Sequence, residues 1–160
     1  MSLTTDPKDP CLNTPKGEGQ QNKCYIVLSE EERAKGFIRP VRCTYIHAGR
    51  LIELEEGTLR EMTQEEKKRH NKYGKIYSHF LEYPVSKLPL VGKHMTQEEV
   101  DNIGKRIGGC GTKTTMAIEI AETYARDPKF YGLTWCMNCG EHINVNEFIW
   151  DDGSNETVGS

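Results

Sequence analysis

The sequence predicts an α+β fold: a small antiparallel sheet, about three helices and a C-terminal hairpin closed by a zinc knuckle. Three observations predict it. Ser29 with Glu32, Thr63 with Glu66 and Thr96 with Glu99 each form the Ser/Thr-x-x-Glu pattern that caps a helix N-terminus. Short runs rich in β-branched and aromatic residues lie between them. Near the C-terminus, Cys136 and Cys139 stand two residues apart and are followed by Gly140, a spacing at which one tight turn presents two thiolates to a tetrahedral cation.

Taken in order, the first 22 residues hold Pro7, Pro10, Pro15, Gly17 and Gly19 with few apolar side chains, which predicts a flexible arm. Cys24–Leu28 reads as a short strand, and Ser29 opens a brief helix that ends near Gly36. Val41–His47 reads as a strand, with Leu51–Leu54 as its pairing candidate. Thr63 caps a charged helix running to about Tyr73, whose spaced charges suit a solvated surface helix. Ile76–Tyr83 is strand-like, Pro84 and Pro89 bracket a loop, and Thr96 opens a helix that stops at Gly108 and Gly109. A helix from Thr114 or Thr115 to Arg126 places Ala117, Ile120, Ala121 and Tyr124 on one face, and Asp127-Pro128 ends it. Tyr131–Trp150 reads as two strands joined at the cysteine knuckle. The expected organisation is an arm over residues 1–22, a single zinc-stabilised domain over 23–152 and a polar tail over 153–160.

The chain has 160 residues, 36% of them hydrophobic and 28% charged, enough to bury a single core. With 21 basic and 24 acidic residues the net charge is −3, which excludes a whole-chain electrostatic footprint for nucleic acid. No apolar run approaches the roughly 18 residues that span a bilayer, and the N-terminus lacks the pattern of a signal peptide. The expected location is therefore the cytoplasm, where six cysteines serve as metal ligands or buried thiols in preference to disulfides.

The expected cofactor is Zn2+, held by Cys110, Cys136, Cys139 and His142. Cys110 enters because Gly108, Gly109 and Gly111 let the backbone turn sharply around a metal. Cys43 and His47 remain alternatives for the last position. The run from Gly108 to Thr115 is no P-loop, because Thr112 separates the glycine from Lys113 and no buried strand precedes it. Lys113 and Thr114 at a helix start, with Arg39 and Arg42 on the approach to a strand, form a weaker candidate set for an anion or nucleic-acid phosphate. No catalytic constellation emerges from the scattered His70, His79, His94, Glu119 and Glu122. The favoured reading is a non-enzymatic structural-zinc module that engages a protein or nucleic-acid partner. The competing one is a zinc-dependent hydrolase or nuclease with an open coordination position.

The motifs Gly108-Gly-Cys-Gly111, Ala121-Glu-Thr-Tyr-Ala-Arg-Asp-Pro128, Cys136-Met-Asn-Cys-Gly-Glu-His142 and Glu147-Phe-Ile-Trp150, with Gly36-Phe-Ile-Arg-Pro-Val-Arg42 upstream, resemble a family of small uncharacterised bacteriophage and prophage proteins. The resemblance covers roughly residues 31–160. It implies a phage-encoded accessory protein acting in the bacterial cytoplasm and carries no activity with it.

Overall fold

In the computed structural model, which describes residues 1–160, the chain forms two units: Met1–Arg50 with Gly108–Ser160, and Leu51–Ile107. This departs from the single domain expected from composition. The first unit is assembled from both ends of the chain, and the second is the intervening stretch. The architecture is mixed α and β, with small, mostly antiparallel sheets and four α-helices. No helix is long and apolar enough to cross a membrane.

The first unit begins with β1 (Ser2–Thr4), which runs parallel to β2 (Cys24–Ile26). Between them, Asp9 caps a 3-10 turn at Pro10–Asn13. A disulfide joins Cys11 to Cys24, with their Cα atoms 5.6 Å apart. The segment expected as a flexible arm is thus paired and crosslinked, and the expectation that no cysteine is bridged does not hold for these two. Polar composition could not reveal the pairing, because its energy comes from backbone hydrogen bonds and from a bond between distant residues. A Cys11→Ser variant is expected to lose about 3 kcal/mol of stability, the order of effect for opening a loop of this length, measured by urea unfolding under oxidising conditions.

Helix α1 (Glu30–Ala34) follows, with the Ser29 side chain accepting from the Glu32 amide. Strand β3 (Thr44–His47) is central to the unit. It pairs antiparallel with β9 (Lys113–Thr115) on one side and with β12 (Phe148–Trp150) on the other, and its alternation buries Tyr45 and His47. The expected strand over 41–47 therefore loses its first residues. β4 (Gly49–Leu51) carries the chain out of this unit.

In the second unit, β5 (Thr58–Glu61), β6 (His79–Glu82) and β7 (Gly92–Met95) form an antiparallel meander, with α2 (Gln64–His70) inserted after β5 and α3 (Gln97–Asp101) after β7. Thr63–Glu66 and Thr96–Glu99 make complete reciprocal capping boxes, each satisfying backbone donors at a helix start. The core of this unit is Ile52, Leu81 and Met95, covered by Leu59, Tyr83, Val100 and Ile103. Strand β8 (Arg106–Gly108), where the chain passes from the second unit to the first, occupies part of the stretch expected to finish α3.

The chain re-enters the first unit through β9. Residues 113–115, expected at a helix start, are a strand because their β-branched threonines pair with β3. Helix α4 (Ile118–Arg126) therefore starts later, with Ala117 at its N-cap, and buries Ile120, Ala121, Tyr124 and Ala125. The antiparallel hairpin of β10 (Leu133–Cys136) and β11 (Glu141–Asn144) carries the knuckle, and β12 follows after a 3-10 turn at Val145–Glu147. The core packs Tyr45, Ile120, Tyr124, Phe148 and Trp150 together with Val27 and Cys136. Val158, in the expected polar tail, is buried among them, and its amide donates to the Phe148 carbonyl.

Candidate metal centre

Three segments of the first unit converge on one point. The first is the end of β3. His47 faces inward with Tyr45, and its neighbour across the sheet is Phe148, whose ring lies 5.0 Å away. The second is the glycine loop before β9. The Gly111 amide donates to the His47 carbonyl at 2.9 Å and the His47 amide donates to the Thr112 carbonyl at 3.2 Å, so the Cys110 loop is fastened to the backbone that carries the histidine. Gly109 permits this approach, since a Cβ there would lie 2.3 Å from the Ala48 carbonyl carbon. The third is the knuckle. β10 ends on the fully buried Cys136, and the chain turns so that the Gly140 amide donates to the Cys136 carbonyl at 2.9 Å, with Gly140 at φ +67°. Cys139 lies within that turn. The buried Thr114 hydroxyl accepts from the Met137 amide at 3.2 Å and braces the turn from β9.

The ligand atoms of His47, Cys110, Cys136 and Cys139 all lie within 4.8 Å of one another. His47 Nδ1 is 3.4 Å from Cys110 Sγ and 3.5 Å from Cys139 Sγ, and the sulfurs of Cys110 and Cys136 are 3.5 Å apart. Tetrahedral coordination with Zn–S near 2.3 Å and Zn–N near 2.0 Å places donor atoms roughly 3.5–3.8 Å apart. The cluster has that spacing, and its one nitrogen and three sulfurs form a donor set that suits soft or borderline divalent ions. The other ring nitrogen, His47 Nε2, is 3.1 Å from Glu147 Oε1. A carboxylate there fixes the proton on Nε2 and leaves the Nδ1 lone pair for a metal.

The bare side chains perturb one another. Burial pushes the Cys110 thiol up, but hydrogen bonds from the Thr112 backbone and side chain and from His47 and Cys136 outweigh it and hold the group down at about 6. Burial, and then the sulfurs of Cys136 and Cys110, push Cys139 up to about 12. Burial lowers His47, while Glu147 and Cys110 more than offset it and raise the ring. A divalent ion held among the sulfurs would offset the repulsion between neighbouring thiolates.

Cys110, Cys136 and Cys139 are the expected residues that come together; His142 is not. In the hairpin register His142 faces Trp135, and cross-strand partners share a face of the sheet. Trp135 and Cys136 are adjacent and point to opposite faces, so His142 turns away from the knuckle. Its Nε2 is 2.8 Å from the Tyr25 hydroxyl, and its ring lies 5.2 Å from that of Trp135. Its place is taken by His47, one of the two alternatives. The other, Cys43, lies before the start of β3, four residues and therefore about 13 Å along an extended chain from His47. Glu147 was missed altogether, for its only signal is the pairing of β12 with β3.

The expected anion set does not assemble either. Lys113 pairs with Asp151 at 3.1 Å, and Thr114 is buried under the knuckle. Arg42 lies against the Trp150 ring between Asp152 at 3.1 Å and Glu156 at 2.7 Å. Arg39 donates to the carbonyls of Ile38 and Ser160. With two of the three cations neutralised and the hydroxyl occupied, this group has little to offer a phosphate.

Glu147→Gln is expected to weaken metal affinity by about 10- to 100-fold with the fold intact, as for other partners of a ligating histidine, measured by competition with a chromogenic chelator. Comparison with protein-family models, with curated proteins and with solved structures finds no match for this chain.

Proposed function

We propose that the chain is a zinc-stapled binding module, a phage-type accessory protein in which a structural Zn2+ held by His47, Cys110, Cys136 and Cys139 fixes a surface that engages a macromolecular partner. The observation that carries this reading is the closed set of four donors, all within 4.8 Å of one another. Four protein ligands complete a tetrahedral shell, whereas catalytic zinc keeps a position for water, so the set favours structure over hydrolysis. Zinc is the ion to expect for three thiolates and an imidazole. The ion would join β3, the glycine loop and the knuckle, three segments far apart in the sequence. The resemblance of residues 31–160 to phage proteins supports the accessory role.

The test is elemental analysis with X-ray absorption on full-length protein purified without added metal. One zinc per chain with three sulfur ligands and one nitrogen is the expected result. Oxygen in the shell would move the reading to the hydrolase, and the absence of stoichiometric metal would overturn it.

A further inference from the structure

The second unit carries a surface that the metal centre does not explain. From Lys67 to Lys75 the chain reads Lys-Lys-Arg-His-Asn-Lys-Tyr-Gly-Lys, with five full cations and no acid. Lys68, Arg69, Lys72 and Lys75 are exposed, and none of the five forms an ion pair. Of the two acids in the first turn of α2, Glu66 is bound by Arg60 through two hydrogen bonds of 2.8 and 3.0 Å and by the capping box at Thr63, and Glu65, one turn before Lys68 and Arg69, is exposed and in no ion pair with them. The positive charge is therefore concentrated on the last turn of α2 and the loop after it, beyond the two acids of the first turn.

That loop is also built to project. The Asn71 side chain donates to the Tyr77 carbonyl at 3.0 Å and accepts from the Tyr77 amide at 2.9 Å, clamping both ends of residues 72–76. Gly74, at φ +94°, makes the turn. Tyr73 at its tip is 95% exposed and Ile76 is 72% exposed. Holding a tyrosine out in water among lysines gains the fold nothing.

We propose that residues 67–77 form a docking surface for single-stranded nucleic acid, with Lys68, Arg69, Lys72 and Lys75 on the phosphates and Tyr73 stacking on a base. Cations tracking a backbone beside an exposed aromatic ring are the two components by which single strands are bound without regard to sequence. A duplex would satisfy the cations but offers Tyr73 no open base. An anionic bilayer is the weaker fit, because insertion needs more apolar surface than Tyr73 and Ile76 supply. The unit's larger apolar loop, with Val85, Leu88, Leu90 and Val91 exposed, follows the far end of β6 and so does not extend this patch. The inference rests on the reading of the chain as a binding module, but not on its metal.

The test is fluorescence anisotropy of full-length protein with a labelled mixed-sequence single-stranded oligonucleotide across a fourfold rise in salt, with zinc content measured on the same samples. Four phosphate contacts predict that affinity falls about fiftyfold over that range. In the triple variant K68Q/R69Q/K72Q the fall should shrink to about threefold. Tyr73→Ala should bind the single strand about tenfold more weakly and leave duplex binding unchanged, with Tyr73→Phe restoring it. All these side chains are exposed, so circular dichroism and zinc content should match the parent. No binding at low salt, an unchanged salt dependence in the triple variant, an unaffected Tyr73→Ala, or tighter binding to phosphatidylserine vesicles would each overturn the proposal. Zinc-free protein that binds would overturn the metal reading and leave this one standing, and zinc-loaded protein that does not bind would overturn this one alone.

Discussion

Cys136→Ser is expected to empty the metal centre and unfold the first unit. Cys136 is fully buried at the end of β10, between the core and the cluster, so no neighbouring side chain can replace its sulfur. For a structural zinc, the binding free energy is folding free energy, about 10–16 kcal/mol in small zinc domains, which matches or exceeds the about 5–15 kcal/mol by which whole domains are stable. Both tryptophans, Trp135 and Trp150, belong to the first unit, so tryptophan emission excited at the red edge, where tyrosine does not absorb, originates there alone. The variant should show loss of stoichiometric zinc and the red-shifted emission of solvated indoles. The parent protein should follow the same course when a strong chelator is added. Retained zinc with unshifted emission would exclude Cys136 as a ligand.

Phe148→Ala should be the next most damaging change, at about 3–5 kcal/mol by chemical denaturation. The ring is fully buried, meets Tyr45 edge to face at 5.3 Å and lies against the His47 imidazole. Its loss leaves a cavity under the strand that carries His47, and Glu147 immediately precedes β12. Weakened zinc binding should therefore accompany the loss of stability, although Phe148 offers no donor atom. An effect on stability with metal affinity unchanged would show that the position of His47 does not depend on this packing.

What could be read from the sequence follows the range of the forces involved. The capping boxes at Thr63 and Thr96 involve neighbouring residues, and both occur as expected. Cys136 and Cys139 were legible as a pair because one turn sets their spacing, and Cys110 because three glycines mark its loop. His47 is a ligand candidate only through the register of β3 with β9 and β12, which no local pattern encodes. His142, near in sequence, is excluded by the parity of a hairpin: one residue more or less between Cys139 and β11 would have turned it to the other face. Thr114 and Thr115 have the side chains of helix caps and also of strands, and pairing with β3 decided between the two. The Cys11–Cys24 bond and the burial of Val158 are likewise tertiary outcomes, invisible to composition.

The division of the first unit between the two ends of the chain fixes an order of events during synthesis. At about 5–20 residues per second, β3 leaves the ribosome several seconds before β9, the knuckle and β12 exist. The whole of the second unit is made in the interval and has every strand of its meander to hand. The nascent N-terminal segment must wait, with Tyr45 and His47 uncovered and no sulfur from the glycine loop or the knuckle yet available. Assembly of the four-residue cluster is therefore a late step that needs nearly the full chain, and a chain truncated before Cys136 would lack the knuckle and β12 with which the first unit closes.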